Sequence, residues 1–185
     1  RHVAAAALGL EADEPTVLIL GGGQGALAIN QAFSKKRDAW LKKFQVIHST
    51  GKGKLAGAKS SKGYYVTEQF DAEGIMNAYA AADLVITRAG IGTLSECASL
   101  SKPSIIVPIP GSHQVENAKA FSSAKAGLFV AQEQPEFPDI LLQQAESLLE
   151  DDSRRRIMGM TAHNYFPTDD GTALAERVLR AIVKV

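Results

Sequence analysis

The chain has 185 residues, in which 20 Lys and Arg balance 20 Asp and Glu, and a single cysteine, Cys97. Balanced charge points away from a nucleic-acid partner, and one cysteine excludes an internal disulfide or a cysteine-rich metal site and fits a reducing compartment. No apolar run approaches the ~20 residues needed to span a bilayer, and the length suits one compact domain over residues 1–185.

The opening Arg1-His2-Val3-Ala4-Ala5-Ala6-Ala7-Leu8 has neither the long apolar core nor the cleavage site of a signal peptide. It also lacks an initiator Met, so the chain is expected to be part of something longer. Residues 1–15 read as a short helix and a polar connector. Thr16-Val17-Leu18-Ile19-Leu20 is an apolar, β-branched run that predicts a buried strand. It runs into Gly21-Gly22-Gly23-Gln24-Gly25-Ala26, and Leu27, Ile29 and Phe33 then recur at helical spacing in one helical region closed by Trp40-Leu41. A second strand is predicted over 44–48, followed by a glycine- and lysine-rich loop to Gly63 whose lysines read as solvated and mobile. The third strand is Tyr64-Tyr65-Val66-Thr67, and a helix over 72–82 puts Ile75, Met76 and Tyr79 on one face.

Ala82-Asp83-Leu84-Val85-Ile86 predicts a fourth strand, and residues 87–96 turn from it into a helix, with Gly90 and Gly92 at the bend. Pro103 stops that helix, and a fifth strand covers 104–109. A helix entered through His113-Gln114-Val115-Glu116-Asn117 reaches about residue 125, Gly127 breaks it, and Leu128-Phe129-Val130 is a short last strand. Amphipathic helices are predicted over 140–149, 154–160 and 172–183. Strands alternating with helices imply an α/β, Rossmann-like, doubly wound parallel sheet. Ligands of such sheets sit at the carboxyl ends of the strands, where the unusual residues of this chain collect.

The turn over 88–96 carries the strongest signal. A helix N-terminus offers N–H groups and a positive dipole end to an anion, Arg88 adds a planar cation, and Glu96 a carboxylate able to accept two sugar hydroxyls. Together these suggest a nucleotide with a diphosphate and a ribose. Gly21, Gly23 and Ala26 fit a G-x-G-x-x-A turn. The second strand ends in His48-Ser49-Thr50, without the acidic residue a nicotinamide or flavin site wants, and no Gly-Lys-Ser/Thr follows the first strand as a P-loop requires. His48 reads as a packing residue and Cys97 as core. Gln114 and Asn117, three apart, share a helical face with His113, and amides at that spacing can bond vicinal hydroxyls. No set of His, Asp and Glu has metal-ligand spacing.

Four blocks, in order over most of residues 16–130, resemble the donor-binding half of the MurG family of bacterial N-acetylglucosaminyltransferases. They are Gly21-Gly22-Gly23-Gln24-Gly25-Ala26 with Asn30-Gln31; Gln45-Val46-Ile47-His48-Ser49-Thr50-Gly51-Lys52; the stretch from Val66-Thr67-Glu68-Gln69-Phe70 to Ala78-Tyr79-Ala80-Ala81-Ala82-Asp83; and residues 88–96 with His113-Gln114-Val115-Glu116-Asn117-Ala118. The resemblance implies the C-terminal half of a GT-B enzyme, two Rossmann-like domains with the active site between them. It implies UDP-N-acetylglucosamine as donor and a lipid-linked acceptor, lipid I, with transfer inverting, without a covalent intermediate or a required cofactor or metal.

By position, Gly23, Gln24, Gly25, Gly92 and Thr93 are expected to hold the diphosphate, with Arg88 stabilising the leaving group. The Phe70 backbone would read the uracil, Glu96 the ribose, and His113, Gln114 and Asn117 the sugar. Arg1 matches a linker arginine that approaches the phosphates. No catalytic base is expected in this chain; it would come, with the acceptor site and the membrane-facing patch, from an amino-terminal half at the cytoplasmic face of the bacterial plasma membrane. The chain departs from the family at Gly23, often serine there, and in a shorter loop at Pro110-Gly111-Ser112. A lipid glycosyltransferase using UDP-glucose or UDP-galactose, and a non-catalytic nucleotide-sugar subunit needing a partner chain, are the alternatives.

Overall fold

The computed structural model describes residues 1–21 and 26–165. Its elements are α1 (His2–Ala7), β1 (Thr16–Leu20), α2 (Leu27–Lys35), α3 (Arg37–Leu41), β2 (Gln45–Ser49), β3 (Tyr64–Thr67), α4 (Ala72–Ala81), β4 (Leu84–Thr87), α5 (Ile91–Ser99), β5 (Ser104–Ile106), α6 (Gln114–Ser123), β6 (Leu128–Phe129), α7 (Phe137–Glu150) and α8 (Asp152–Tyr165). The six strands form one sheet in the order β3-β2-β1-β4-β5-β6, every neighbouring pair parallel. That is the doubly wound, Rossmann-like parallel sheet expected above, and its strand order is the Rossmann one.

β1 lies at the centre and all five of its residues are buried, which is why it reads as a continuous apolar run rather than an alternating one. Its side chains divide by parity. Val17 and Ile19 join the layer of α2, α3 and α7, built around Phe33, Trp40 and Leu141. Leu18 and Leu20 join the layer of α1 and α4, with Ala5, Ala78 and Tyr79. A third cluster seats α5, α6 and α8 on Ile106 through Leu94, Ala98, Phe121 and Ala162. No helix among the described residues is long and apolar enough to cross a membrane.

The element boundaries differ from the sequence expectation in instructive ways. The single helical region over 27–41 is two helices, α2 and α3, broken at Lys36 with φ −121°. The break lets Trp40 drop fully into the core, edge-on to Phe33 and to Phe44. β5 stops at Ile106 rather than 109, since Pro108 has no N–H to extend the ladder. α7 begins three residues early, with a proline in its first turn, where the missing N–H is no loss. α8 runs to Tyr165, past its sequence-level end, because packing against α5 and Phe121 sustains it. The helix expected over 172–183 lies outside the described residues.

α4 has a side-chain N-cap: Asp71 accepts from the Gly74 N–H at 2.7 Å. Asp71→Ala is expected to cost about 1 kcal/mol in urea unfolding, as for a lost acidic cap.

Candidate functional site at the carboxyl edge of the sheet

The register brings the strand ends level. Leu20 of β1 pairs with Ser49 of β2 and Thr87 of β4, Ser49 with Thr67 of β3, and Thr87 with Ile106 of β5. Whatever follows these residues therefore projects from one edge. A cavity of about 350 Å³ opens there, lined by Leu20, Ser49, Gln69, Phe70, Ile75, Thr93 and Glu96. It lies within the size range of small-molecule sites. Phe70 stacks on Tyr65, ring centroids 6.0 Å apart and planes 11° from parallel, giving that end of the cavity a firm aromatic wall.

α5 points its N-terminus at the same edge. Gly90 is its N-cap, and no side chain caps the helix. Without a cap, the first N–H groups stay available to an external acceptor. A Cβ built on Gly90 or on Gly92 meets nothing within 4 Å, and Gly90 has φ −71°. Neither glycine is demanded by packing, so their effect is to leave bare backbone at the mouth of the site, as an approaching anion requires. Thr93 and Glu96, three apart, share the face of α5 that lines the cavity. The Glu96 carboxylate accepts from the Tyr79 hydroxyl, Oη to Oε2 at 2.8 Å.

Arg88 is placed otherwise than as an open phosphate fork. It is buried, and its Nη1 donates to the carbonyls of Val107 (2.9 Å) and Pro108 (3.2 Å) and to Gln132 Oε1 (2.6 Å). Its Nε is buried without a partner. Burial pulls its pKa down, and no carboxylate lies within ion-pair reach of it among the described residues. The guanidinium thus braces the β5–α6 loop and delivers its charge to the edge from within.

That loop and α6 carry the remaining candidates. His113 is the exposed N-cap residue of α6. Gln114 Oε1 accepts from the Ile109 N–H at 3.2 Å, and Asn117 Nδ2 donates to the Ala89 carbonyl at 3.0 Å. Each amide thus spends one end on holding the loop or tying α6 to the β4–α5 turn. Gly23, Gln24 and Gly25 fall outside the described residues.

Arg1 is a correction. Its guanidinium forms a two-pronged ion pair with Asp83 and also donates to the carbonyls of Ala12 and Glu14. Asp83 precedes β4 and accepts from the Thr16 N–H that opens β1. Arg1 therefore sits at the amino edge of the sheet, across its full depth from the cavity, with its donors already used, and does not approach a phosphate there.

His48 is structural, as expected. It is buried, its Nε2 lies 2.9 Å from Asn30 Oδ1 and its Nδ1 3.1 Å from the Tyr64 hydroxyl. Asn30 Nδ2 donates to the Thr50 carbonyl, so Oδ1 faces the imidazole and accepts from a protonated Nε2, while Nδ1 accepts from Tyr64. The neutral ring satisfies both ends, and burial lowers its pKa to about 4. Cys97 is buried, and that burial pushes its thiol up to about 12. No group of His, Cys, Asp or Glu side chains suited to a metal ion occurs among the described residues.

Sequence reading missed Ser49, Gln69 and Leu20 as lining residues, although each stands at or just past a strand end. Gln132 carried no signal, being 44 residues from the arginine it accepts from.

Residues 16–170 match the glycosyltransferase family 28 C-terminal domain. The UDP-N-acetylglucosamine--N-acetylmuramyl-(pentapeptide) pyrophosphoryl-undecaprenol N-acetylglucosamine transferase of Bifidobacterium adolescentis is 36% identical over 98% of this chain and 51% of its own length. The protein of the same name from Nocardioides is also 36% identical, over 97% of this chain and 50% of its own. The chain spans about half the length of the curated relatives it matches. Among solved structures, Acinetobacter baumannii MurG superposes with TM-score 0.74 at 24% identity, over 92% of this chain and 51% of that one. The glycosyltransferase of kitacinnamycin gives TM-score 0.69 at 18% identity, over 90% and 43%. Since the family match runs from β1 through β6 and the helices that follow, over most of the chain, the chain belongs to the glycosyltransferase family 28 C-terminal domain family.

Proposed function

We propose that this chain is the donor-binding half of an inverting glycosyltransferase that moves N-acetylglucosamine from UDP-N-acetylglucosamine to lipid I, giving lipid II. The observation that carries the reading is the single cavity wall where the uncapped start of α5, Thr93 and Glu96 face Phe70 across the level strand ends. The names of the relatives supply the sugar and the acceptor.

In this reading the uracil sits by Phe70, its edge bonded by backbone, and the ribose hydroxyls donate to Glu96. The diphosphate lies over Gly90, Gly92 and Thr93, where N–H groups and the helix dipole meet its charge. Gln114 and Asn117 turn their other amide ends to the sugar, with His113 beside them. The acceptor hydroxyl attacks the anomeric carbon, its oxygen forms the new bond, and the bond to the UDP oxygen breaks with inversion. The hydroxyl proton goes to a base on the amino-terminal half. As negative charge gathers on the leaving diphosphate, the α5 N–H groups and the positive charge of Arg88 stabilise it. Those groups do the work a metal would do, so we infer that none is required. The full enzyme would act at the cytoplasmic face of the plasma membrane, reaching the lipid through its other half.

Calorimetry of this chain with UDP, UDP-N-acetylglucosamine and UDP-glucose tests the reading. UDP should bind, and the N-acetylated sugar should bind tighter than glucose. Equal affinity for the two sugars would remove the basis for naming the donor. Glu96→Ala should weaken UDP binding by about 1.5–3 kcal/mol, the cost of hydrogen bonds to a charged group. Unchanged affinity in the folded variant sinks the ribose role.

A further inference from the structure

Glu96 stands on the exposed side of α5 at the rim of the cavity, where an unsupported glutamate samples many rotamers. Ordering such a side chain on binding carries an entropy cost that weakens the contact it makes. The structure supplies a support from the neighbouring helix. Tyr79, on α4, is only 4% exposed, yet its hydroxyl reaches out of the core to Glu96 Oε2 at 2.8 Å. Its ring is fixed in the cluster of α1, α4 and β1, with Leu18, Ala78, Ala82 and Cys97.

A phenylalanine would fill that space equally well. A buried hydroxyl is tolerated only where it is bonded, and here its partners are the carboxylate of the candidate site, at 2.8 Å, and the Cys97 sulfur inside the core. The bond to the carboxylate engages Oε2, on a residue that lines the cavity. Burial raises the Tyr79 pKa, with Cys97 and Glu96 adding to the effect, so the phenol keeps its proton and remains a donor. Ile75, one turn earlier on α4, lines the same cavity, so the helix that carries Tyr79 also builds the site wall.

We propose that Tyr79 is a positioning residue: its hydroxyl holds Glu96 in one rotamer with Oε1 presented to the ribose hydroxyls of the bound nucleotide. The proposal rests on the reading of Glu96 as the ribose acceptor. It gives the chain its preference for ribonucleotides over deoxyribonucleotides from a side chain that touches no ligand.

The test measures binding of UDP and 2′-deoxy-UDP to the parent chain, Tyr79→Phe, Glu96→Gln and the double variant, with urea unfolding of each. The parent should prefer UDP by about tenfold or more, as for a hydrogen bond to a charged group. Tyr79→Phe should bring that preference down to about two- to threefold and leave 2′-deoxy-UDP binding nearly unchanged. The double variant should discriminate no worse than Glu96→Gln alone, because the two residues act as one unit. A merely structural tyrosine would lower stability and weaken both nucleotides alike, which overturns the proposal. So does a Tyr79→Phe chain that keeps the parent's preference while Glu96→Gln loses it, and the ribose reading then stands. A parent chain that binds both nucleotides equally overturns the ribose reading and the proposal together.

Discussion

Gly159→Ala is expected to destabilise the chain by about 2 kcal/mol, although alanine is the better helix former. Gly159 lies in α8 where that helix crosses the end of α5, and a Cβ there would come within 2.0 Å of the Ser101 carbonyl oxygen and 2.8 Å of its carbon. Those are backbone atoms with little room to move. Ser101 has φ +50°, in the left-handed region, and closes α5: its N–H donates to the Ala98 carbonyl and the Lys102 N–H to Cys97 (2.7 Å). This paired arrangement is a Schellman C-cap, which pins the carbonyl in place. Helix propensity alone favours alanine over glycine by about 1 kcal/mol. Forced overpacking against fixed atoms costs about 1–3 kcal/mol or more, and it also pries α8 from the cluster of Leu94, Ala98 and Ala162. The two contributions have opposite sign, so urea unfolding decides between them. A variant as stable as the parent would mean that α8 does not press on α5 as described.

The second large effect is a loss of stability in mild acid, traced to His48. The imidazole pKa is about 4 in the folded chain, lowered by burial, against about 6.5 when exposed. A folded value below the unfolded one means that the unfolded chain takes up the proton first. The neutral-imidazole contribution is therefore complete above about pH 6.5 and is lost as the pH falls toward 4, where the folded chain also protonates. Over that window the difference amounts to about 3 kcal/mol, from 1.36 kcal/mol per pKa unit. Protonation also breaks the chain of bonds, since a charged ring has no lone pair to accept from Tyr64. Carboxylates titrate in the same range, so the comparison that isolates His48 is with His48→Gln. The variant should be less stable than the parent at pH 7.5 and should lose distinctly less on going to pH 4.5. Parallel losses in both chains would show that His48 is not the acid-sensitive group.

Most of the architecture was legible in local pattern. Val17 to Leu20 is apolar at every position because a central parallel strand is covered on both faces. The helices expected to stop at Pro103 and Gly127 end earlier, each closed by a residue in the left-handed region, Ser101 after α5 and Lys125 after α6, whose capping bonds satisfy the last carbonyls. The bend at Gly90 and Gly92, and the face shared by Thr93 and Glu96, follow from spacing alone. So does the collection of Phe70, Arg88 and His113 at one edge, because strand order and polarity in such a sheet leave few alternatives.

What the fold decided is where each lone polar group finds its partner. Arg88 looked like an open cation in a glycine turn. Its fate depended on two carbonyls and Gln132, brought to it by β5 and the loop beyond β6. Arg1 went to the amino edge because Asp83 was waiting at the start of β4. Tyr79 had helical spacing that reads as core, which its ring obeys while its hydroxyl serves Glu96 across 17 residues. Gly159 gave no hint of the Ser101 carbonyl beneath it. Helical and strand periodicity are properties of neighbours in the chain, and so they are written in short windows of residues. A hydrogen bond or a close approach between distant segments depends on packing distances of a few tenths of an ångström, and those exist only once the sheet and its two helical layers have closed.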